Sequence, residues 1–158
     1  MSTTPVRHAH RNLDHPYKPV RSSAWRRVER AHLAKHPRCA CCRPGTNVNA
    51  GIQVHHGFPF HYCIALGRPD LELDDRNLIS LCETEKDRPS ENHHLLVGHL
   101  DDFKSSNLDV VKDASVTFFG SSGAEIRGSE AWKTKVLARL RRDALSGALR
   151  VPTSATMS

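Results

Sequence analysis

The sequence predicts an α+β fold in which two short strands and a short helix sit between longer helices at either end. Three observations predict it. Ile52 and Val54 alternate with polar Gln53 and lead into His55-His56, the period of a strand. Asn77-Leu78-Ile79-Ser80-Leu81-Cys82 reads as a second strand. Apolar residues recur at helical spacing near both ends: Trp25, Val28 and His32-Leu33, then Trp132, Val136 and Leu140.

The elements follow in order. Residues 1–21 are polar and carry three prolines and three histidines, so they are expected to form a flexible N-terminal arm. Ser22 or Ser23 is placed to cap the first helix, and Pro37 limits its end. Arg21, Arg26, Arg27 and Arg30 decorate this segment as a solvated face. Residues 38–50 are rich in turn formers around Arg38-Cys39-Ala40-Cys41-Cys42-Arg43-Pro44-Gly45. Pro59 and Gly67 punctuate a loop between the strands, and the charged stretch 83–92, with Pro89, is a second loop. His93 to His99 predicts a short helix broken at Gly98. Val116 to Phe119 reads as a strand, and Ser129-Glu130 opens the last helix, with Arg139, Arg141 and Arg142 where cations suit the helix dipole. The expected divisions are the arm at 1–21, a central domain at 22–107, a strand/helix extension at 108–151 and a disordered tail at 152–158.

A chain of 158 residues with 38% hydrophobic and 25% charged residues makes one domain with a modest core. No run of 18 apolar residues exists, and Met1 to Pro19 has no apolar signal region, so a cytoplasmic protein is expected. Lys and Arg number 23 against 17 Asp and Glu, a formal charge of +6 that favours polyanionic partners. The five cysteines are odd in number and lack a secretion signal, so metal ligation is the better reading than disulfides.

Cys39 and Cys42 have the Cys-x-x-Cys spacing that points two thiolates at one tetrahedral ion. Cys82, after the second strand, and His93 are the candidates for the remaining positions of a structural zinc. Cys41 competes with Cys42, which the spacing favours, and Cys63 reads as a core thiol. Zinc would hold together a loop-rich module whose strands bury little.

Adjacent histidines on a strand face opposite sides, but at a strand end the backbone can twist so that both reach one site. His55 and His56 are therefore a candidate metal ligand and a candidate base, since an imidazole titrates near neutrality. Val54-His55-His56, then Pro59-Phe60, Leu71-Glu72-Leu73-Asp74, Asn77 to Cys82, Asn92-His93-His94 and Gly98-His99, with the upstream cysteines and the Trp25 helix, together resemble the HNH endonuclease family in its zinc-knuckle branch of bacteria and phages. The resemblance spans about residues 22–107.

That resemblance implies a ββα-metal (His-Me) finger holding one divalent cation. It implies His55 as a metal ligand, His56 as general base, Asn77 as the brace of the loop that orients the base, and His94 as a ligand from the helix. A cysteine usually precedes that last histidine; here it is His93, which can still bind zinc or can take the catalytic metal instead. His99 is a secondary ligand candidate. On a regular helix it lies roughly 140° round from His94, so a distorted turn at Gly98 is required for the two to share an ion. His61 is less favoured still.

The implied reaction is hydrolysis of a DNA phosphodiester to a 5′-phosphate and a 3′-hydroxyl, the cation offsetting charge on the phosphate and aiding departure of the 3′ oxygen. The ion is Mg, Mn, Ni or Zn, with imidazole ligands favouring the softer ones. Arg68, Arg76 and Lys104 lie near the motif as candidate phosphate contacts, and Lys133, Lys135, Arg139, Arg141 and Arg142 can widen that footprint or form a solvated helix face. No base-reading element is evident, so duplex DNA with weak sequence preference is the expected partner. A zinc-stabilised DNA-binding module without catalysis is the alternative, and a ribonuclease or toxin domain a third. The joint presence of His56 and Asn77 favours the enzyme.

Overall fold

A computed structural model describes residues 20–45, 51–83 and 92–145. The expected arm up to residue 19, most of the second loop (84–91) and the tail from 152 lie outside these residues. The architecture is α+β. Strands β1 (Gly51–His56) and β2 (Leu78–Glu83) form a two-stranded antiparallel sheet, in register from Gly51 opposite Glu83 to His56 opposite Leu78. A lone hairpin is marginal in water, so its stability comes from what packs on it.

Helix α1 (Trp25–Lys35) lies against one face. Its Trp25 ring is buried and stacks on His56 with centroids 4.7 Å apart. The Ser80 hydroxyl donates to the His36 carbonyl at 2.7 Å, tying the end of α1 to β2. The expected Ser22/Ser23 cap is corrected. Ala24 precedes the helix without a side-chain cap, and the Ser22 hydroxyl accepts from Ala24 N instead. Ser22 N is drawn to the buried Glu72 carboxylate, at 3.1 and 3.3 Å from its two oxygens, and that longer-range anchor fixes the chain entry.

Between the strands the chain forms α2 (Phe60–Ala65), the short α3 (Asp70–Leu73) and a 3₁₀ turn, Asp75–Asn77. Asn77 holds this excursion closed. Its Oδ1 accepts from Phe58 N at 2.7 Å, and its Nδ2 donates to the Phe58 and Leu71 carbonyls at 3.1 and 3.0 Å. Gly57 N donates to the Asn77 carbonyl at 2.8 Å, closing the two strand ends together.

After β2 the chain forms a π-helical turn, His94–Gly98, packed on the sheet, then α4 (Val110–Lys112), a second π-helical turn (Asp113–Thr117), α5 (Gly123–Gly128) and α6 (Glu130–Leu145). The strand expected at Val116–Phe119 is therefore corrected: Val116 and Thr117 end the second π turn, and Phe118 and Phe119 follow as a bend and a turn. Strand propensity is realised only beside a pairing partner. Here buried Asp113 organises the segment instead. Its carboxylate accepts from Asn107 Nδ2 at 2.7 Å and pairs with Lys135 at 2.8 Å, and its carbonyl takes the Phe118 amide.

One core joins all of this. Leu81 of β2, Leu96 and Val97 of the first π turn, Val110, Ala114, Phe118, Ile126 and Trp132 form a single buried cluster with Cys39 and Cys41. The segment after residue 107 thus covers the same core as the sheet. Among the described residues no helix is long and apolar enough to cross a membrane.

Trp132 closes that core, and its indole Nε1 donates to the Leu96 carbonyl at 2.9 Å. Trp132→Phe keeps an aromatic ring but strands that buried carbonyl, so urea denaturation is expected to show a loss of about 1–3 kcal/mol. A stability equal to the parent would mean that this hydrogen bond contributes nothing.

Candidate metal centres

The first centre gathers the cysteine-rich turn, β2 and the residue before the π turn. Ala40 N donates to the Ser80 carbonyl at 2.9 Å, docking the turn on the sheet. Cys39, Cys42, Cys82 and His93 then form a site that can hold a metal ion. The His93 Nδ1 lies 3.6, 3.3 and 3.1 Å from the sulphurs of Cys39, Cys42 and Cys82, and Cys42 and Cys82 are 3.9 Å apart. Four ligands around tetrahedral zinc stand about 3.5 Å (N to S) and about 3.8 Å (S to S) from one another, so the set fits such an ion. His93 Nε2 donates to the Ser121 carbonyl at 3.0 Å, which aims Nδ1 at the sulphurs. Burial alone would lower the His93 imidazole, but the sulphurs of Cys39, Cys41 and Cys42 outweigh it and push it up to about 12. Contacts from Cys42 and Cys82 hold the Cys39 thiol well below its ordinary value. Contacts from Cys39 and Cys42 push the Cys82 thiol up, so the group holds thiolate charge at Cys39 beside the His93 ring.

The choice between Cys41 and Cys42 is made by the turn. Cys41 points into the core and donates its S–H to the Phe118 carbonyl at 3.2 Å, and burial raises its thiol. Cys63 is fully buried against the Pro59 carbonyl, as a core thiol should be.

The second centre consists of three imidazoles, His55, His94 and His99, whose ligand atoms lie within 4.8 Å of one another. His55 comes from β1, and the other two flank the π turn. That turn supplies the distortion which shared ligation requires, because i→i+5 closure brings residues five apart onto one side. Gly98 makes room for it: a Cβ there would lie 3.1 Å from the His55 ring.

Hydrogen bonds fix the tautomers. His94 Nδ1 donates to the Glu83 carboxylate at 2.7 Å, and His99 Nδ1 donates to the Ser105 carbonyl at 2.6 Å. Neither oxygen can donate in return, so in the neutral rings both Nε2 atoms carry lone pairs. They face each other at 3.3 Å. Two nitrogens 2.0–2.1 Å from one tetrahedral ion are separated by about that distance. His55, 6% exposed, brings to the same cluster an Nε2 with no hydrogen-bond partner. Burial, then the neighbouring His99 and His94, hold its imidazole well below the ordinary value, so it is neutral and able to ligate. A proton shared by His94 and His99 leaves His55 unsatisfied, whereas a cation satisfies all three.

His56 occupies different surroundings from His55. It packs between Trp25 and Phe60, and its Nε2 donates to the Glu72 carbonyl at 3.0 Å. Burial first, and then the Arg21 guanidinium, lower it to about 4, so it is neutral at pH 7 with the Nδ1 lone pair retained. The structure does not bring it into the three-imidazole group. Asn77 lies on the same clipped loop, through Phe58 and Leu71.

Arg68 and Arg76 are each engaged by a carboxylate two residues away. Arg68 holds Asp70 at 3.0 and 2.8 Å, and Arg76 holds Asp74 through Nη2 at 2.7 Å. Lys104 sits beside Ser105, the residue that orients His99, while the Phe103 ring packs on His94 and His99. Sequence reasoning missed Glu83 and Glu72. Glu83 was within reach, since strand alternation from Ile79, opposite His55, returns to that face at Leu81 and Glu83. Glu72 was not, because only the folded loop brings it to Ser22 and Arg21. A third group, His32, His36 and Asp75, also draws ligand atoms together, but Asp75 is already paired with His32 at 2.7 Å and Lys35 at 3.1 Å.

The two centres are separable by mutation. Cys82→Ser is expected to abolish retention of one tightly held zinc per chain, read by metal analysis after dialysis, and to lower the melting temperature. Glu83→Gln is expected to keep that zinc but weaken binding of added Ni²⁺ by roughly 10–100-fold, read by calorimetry. Loss of the tightly held zinc in Glu83→Gln would contradict two separable centres. No protein-family model matches the chain, and neither does any curated protein or solved structure.

Proposed function

We propose that this chain is a metal-dependent endonuclease of the HNH type, hydrolysing DNA phosphodiester bonds to 5′-phosphate and 3′-hydroxyl ends. The observation that carries the reading is the convergence of three imidazoles, with His94 and His99 Nε2 atoms 3.3 Å apart and the His55 Nε2 otherwise unpartnered. His55, His94 and His99 would hold the divalent ion, and Glu83 and Ser105 keep two of the rings in the ligating tautomer. When bound, Mg, Mn, Ni or Zn would neutralise charge on the scissile phosphate and on the departing 3′ oxygen. His56 is the base that takes the proton of the attacking water at its Nδ1, the Glu72 carbonyl fixing the tautomer that leaves this nitrogen basic. Asn77 holds the loop that carries the Glu72 carbonyl. The site of Cys39, Cys42, Cys82 and His93 takes structural zinc and anchors the start of the turn that bears His94.

A second reading, a zinc-stabilised DNA-binding module without catalysis, is favoured by the burial of His56, which is 6% exposed. Purified protein incubated with supercoiled plasmid and Mg²⁺, Mn²⁺, Ni²⁺ or Zn²⁺ decides between them. Nicking is expected, and His56→Ala is expected to lose it by at least 10²-fold while still folding and binding DNA. Equal nicking by His56→Ala would sink its assignment as base. Binding without nicking under every metal would favour the second reading.

A further inference from the structure

Arg68 and Arg76 are held by their own neighbouring carboxylates, which leaves open where a polyanion would meet this chain. A cavity of about 570 Å³ opens between α6 and the segment 100–109. Lys104, Lys135, Arg139 and Arg142 line it, against a single carboxylate, Asp109. Lys135, Arg139 and Arg142 follow one another at four and three residues, so they share one face of α6.

Two of these cations have structural roles of different completeness. Lys135 is a strut, paired at 2.8 Å with both Asp109 and Asp113. Arg139 is not so well served. It is 8% exposed, and its Nε and Nη1 have no hydrogen-bond partner. Its Nη1 forms an ion pair with the Asp102 carboxylate at 3.3 Å, without hydrogen-bond geometry. A buried guanidinium with unmade bonds is costly, and Arg139 lines the cavity beside Lys104, Lys135 and Arg142, a cationic lining suited to an oxyanion. Lys104 and exposed Arg142 contribute charge on the walls around it.

The position of the cavity gives this anion site a meaning. One wall is the loop that contains Ser105, whose carbonyl holds His99 in its ligating tautomer, and Ser105 itself lines the cavity. The lining also includes His61 and exposed Tyr62, whose rings lie 4.3 Å apart. The cavity and the three-imidazole centre thus share the loop that bears Ser105.

We propose that this cleft seats a backbone phosphate of a nucleic-acid strand, with Arg139 at its floor and Lys104 and Arg142 at its rim. That the anion belongs to a nucleic acid rests on the nuclease reading; that the cleft takes a phosphate rests on Arg139 and its surroundings. The cleft positions substrate and takes no part in bond breaking.

The test is fluorescence anisotropy of a labelled oligonucleotide, single-stranded and duplex, without added divalent metal and over a range of salt. Lys104→Ala combined with Arg142→Ala, both on the rim, is expected to weaken binding at least tenfold. The slope of log affinity on log salt should fall by about 0.7–0.9 for each phosphate that the variant no longer neutralises. Arg139→Gln should weaken binding similarly, and the rim variant decides the matter if that chain does not fold. Inorganic phosphate at millimolar concentration should displace the oligonucleotide from the parent but leave the residual binding of the rim variant unchanged. Parent-like affinity and slope in the rim variant would overturn the proposal. So would phosphate that raises the melting temperature of a parent binding no oligonucleotide, which would make this a site for small anions. Plasmid nicking measured in parallel separates the two ideas. Normal nicking by the rim variant with unchanged binding sinks the cleft alone, whereas binding through the cleft with no nicking under any metal sinks the nuclease alone.

Discussion

The pairing of His55 with Ile79 and of His56 with Leu78 decides which side of the sheet each functional group occupies. Strand side chains alternate, so a slip of β1 by one residue would exchange the two histidines, and a slip of β2 would turn Glu83 away from His94. A sheet of two strands cannot hold that register by itself. The Asn77 clip closes one end of it, where Gly57 meets the Asn77 carbonyl. Near the other, Cys82 and His93 belong to the cysteine centre. The apolar share comes from Leu81, which lies at the middle of the core and shares a face with His55 through Ile79. Polar precision at the site and apolar burial beneath it are therefore consequences of one alignment.

The two centres are also joined through covalent neighbours. His93 turns its Nδ1 to the sulphurs, while His94, the next residue, turns its Nε2 to His99. An ion in the first centre would fix the backbone from which the second begins. Metal affinity at one is then partly folding free energy for the other, because neither ligand set is arranged in an unfolded chain.

Much of this was legible in the sequence, for reasons that differ by element. Both strands were, because alternation and a short apolar run survive without tertiary information. The cysteine centre was legible from its spacing, which favours Cys42; what sets Cys41 apart from the centre is the Phe118 carbonyl 77 residues away. His99 was legible only as an exception to regular helix geometry, since the widening of the turn cannot be read from Leu95 to Gly98. Val116–Phe119 misled because strand preference is a preference for a partner, and buried Asp113 offered a helical alternative instead. Arg68 and Arg76 sit two residues from Asp70 and Asp74, a spacing visible in the chain whose effect on phosphate binding emerges only once the ion pairs are formed.

The Trp132 indole seated on the Leu96 carbonyl bears on how the chain can be divided. The elements that bear the clustered side chains all lie before residue 100, which invites a minimal version ending soon after it. Such a piece would leave Leu96, Val97 and Leu81 facing water and would remove the donor that α6 supplies to the turn carrying His94. The last third of the chain is thus the counterweight of the hairpin, and a graft of this centre onto another scaffold would have to bring a replacement for it.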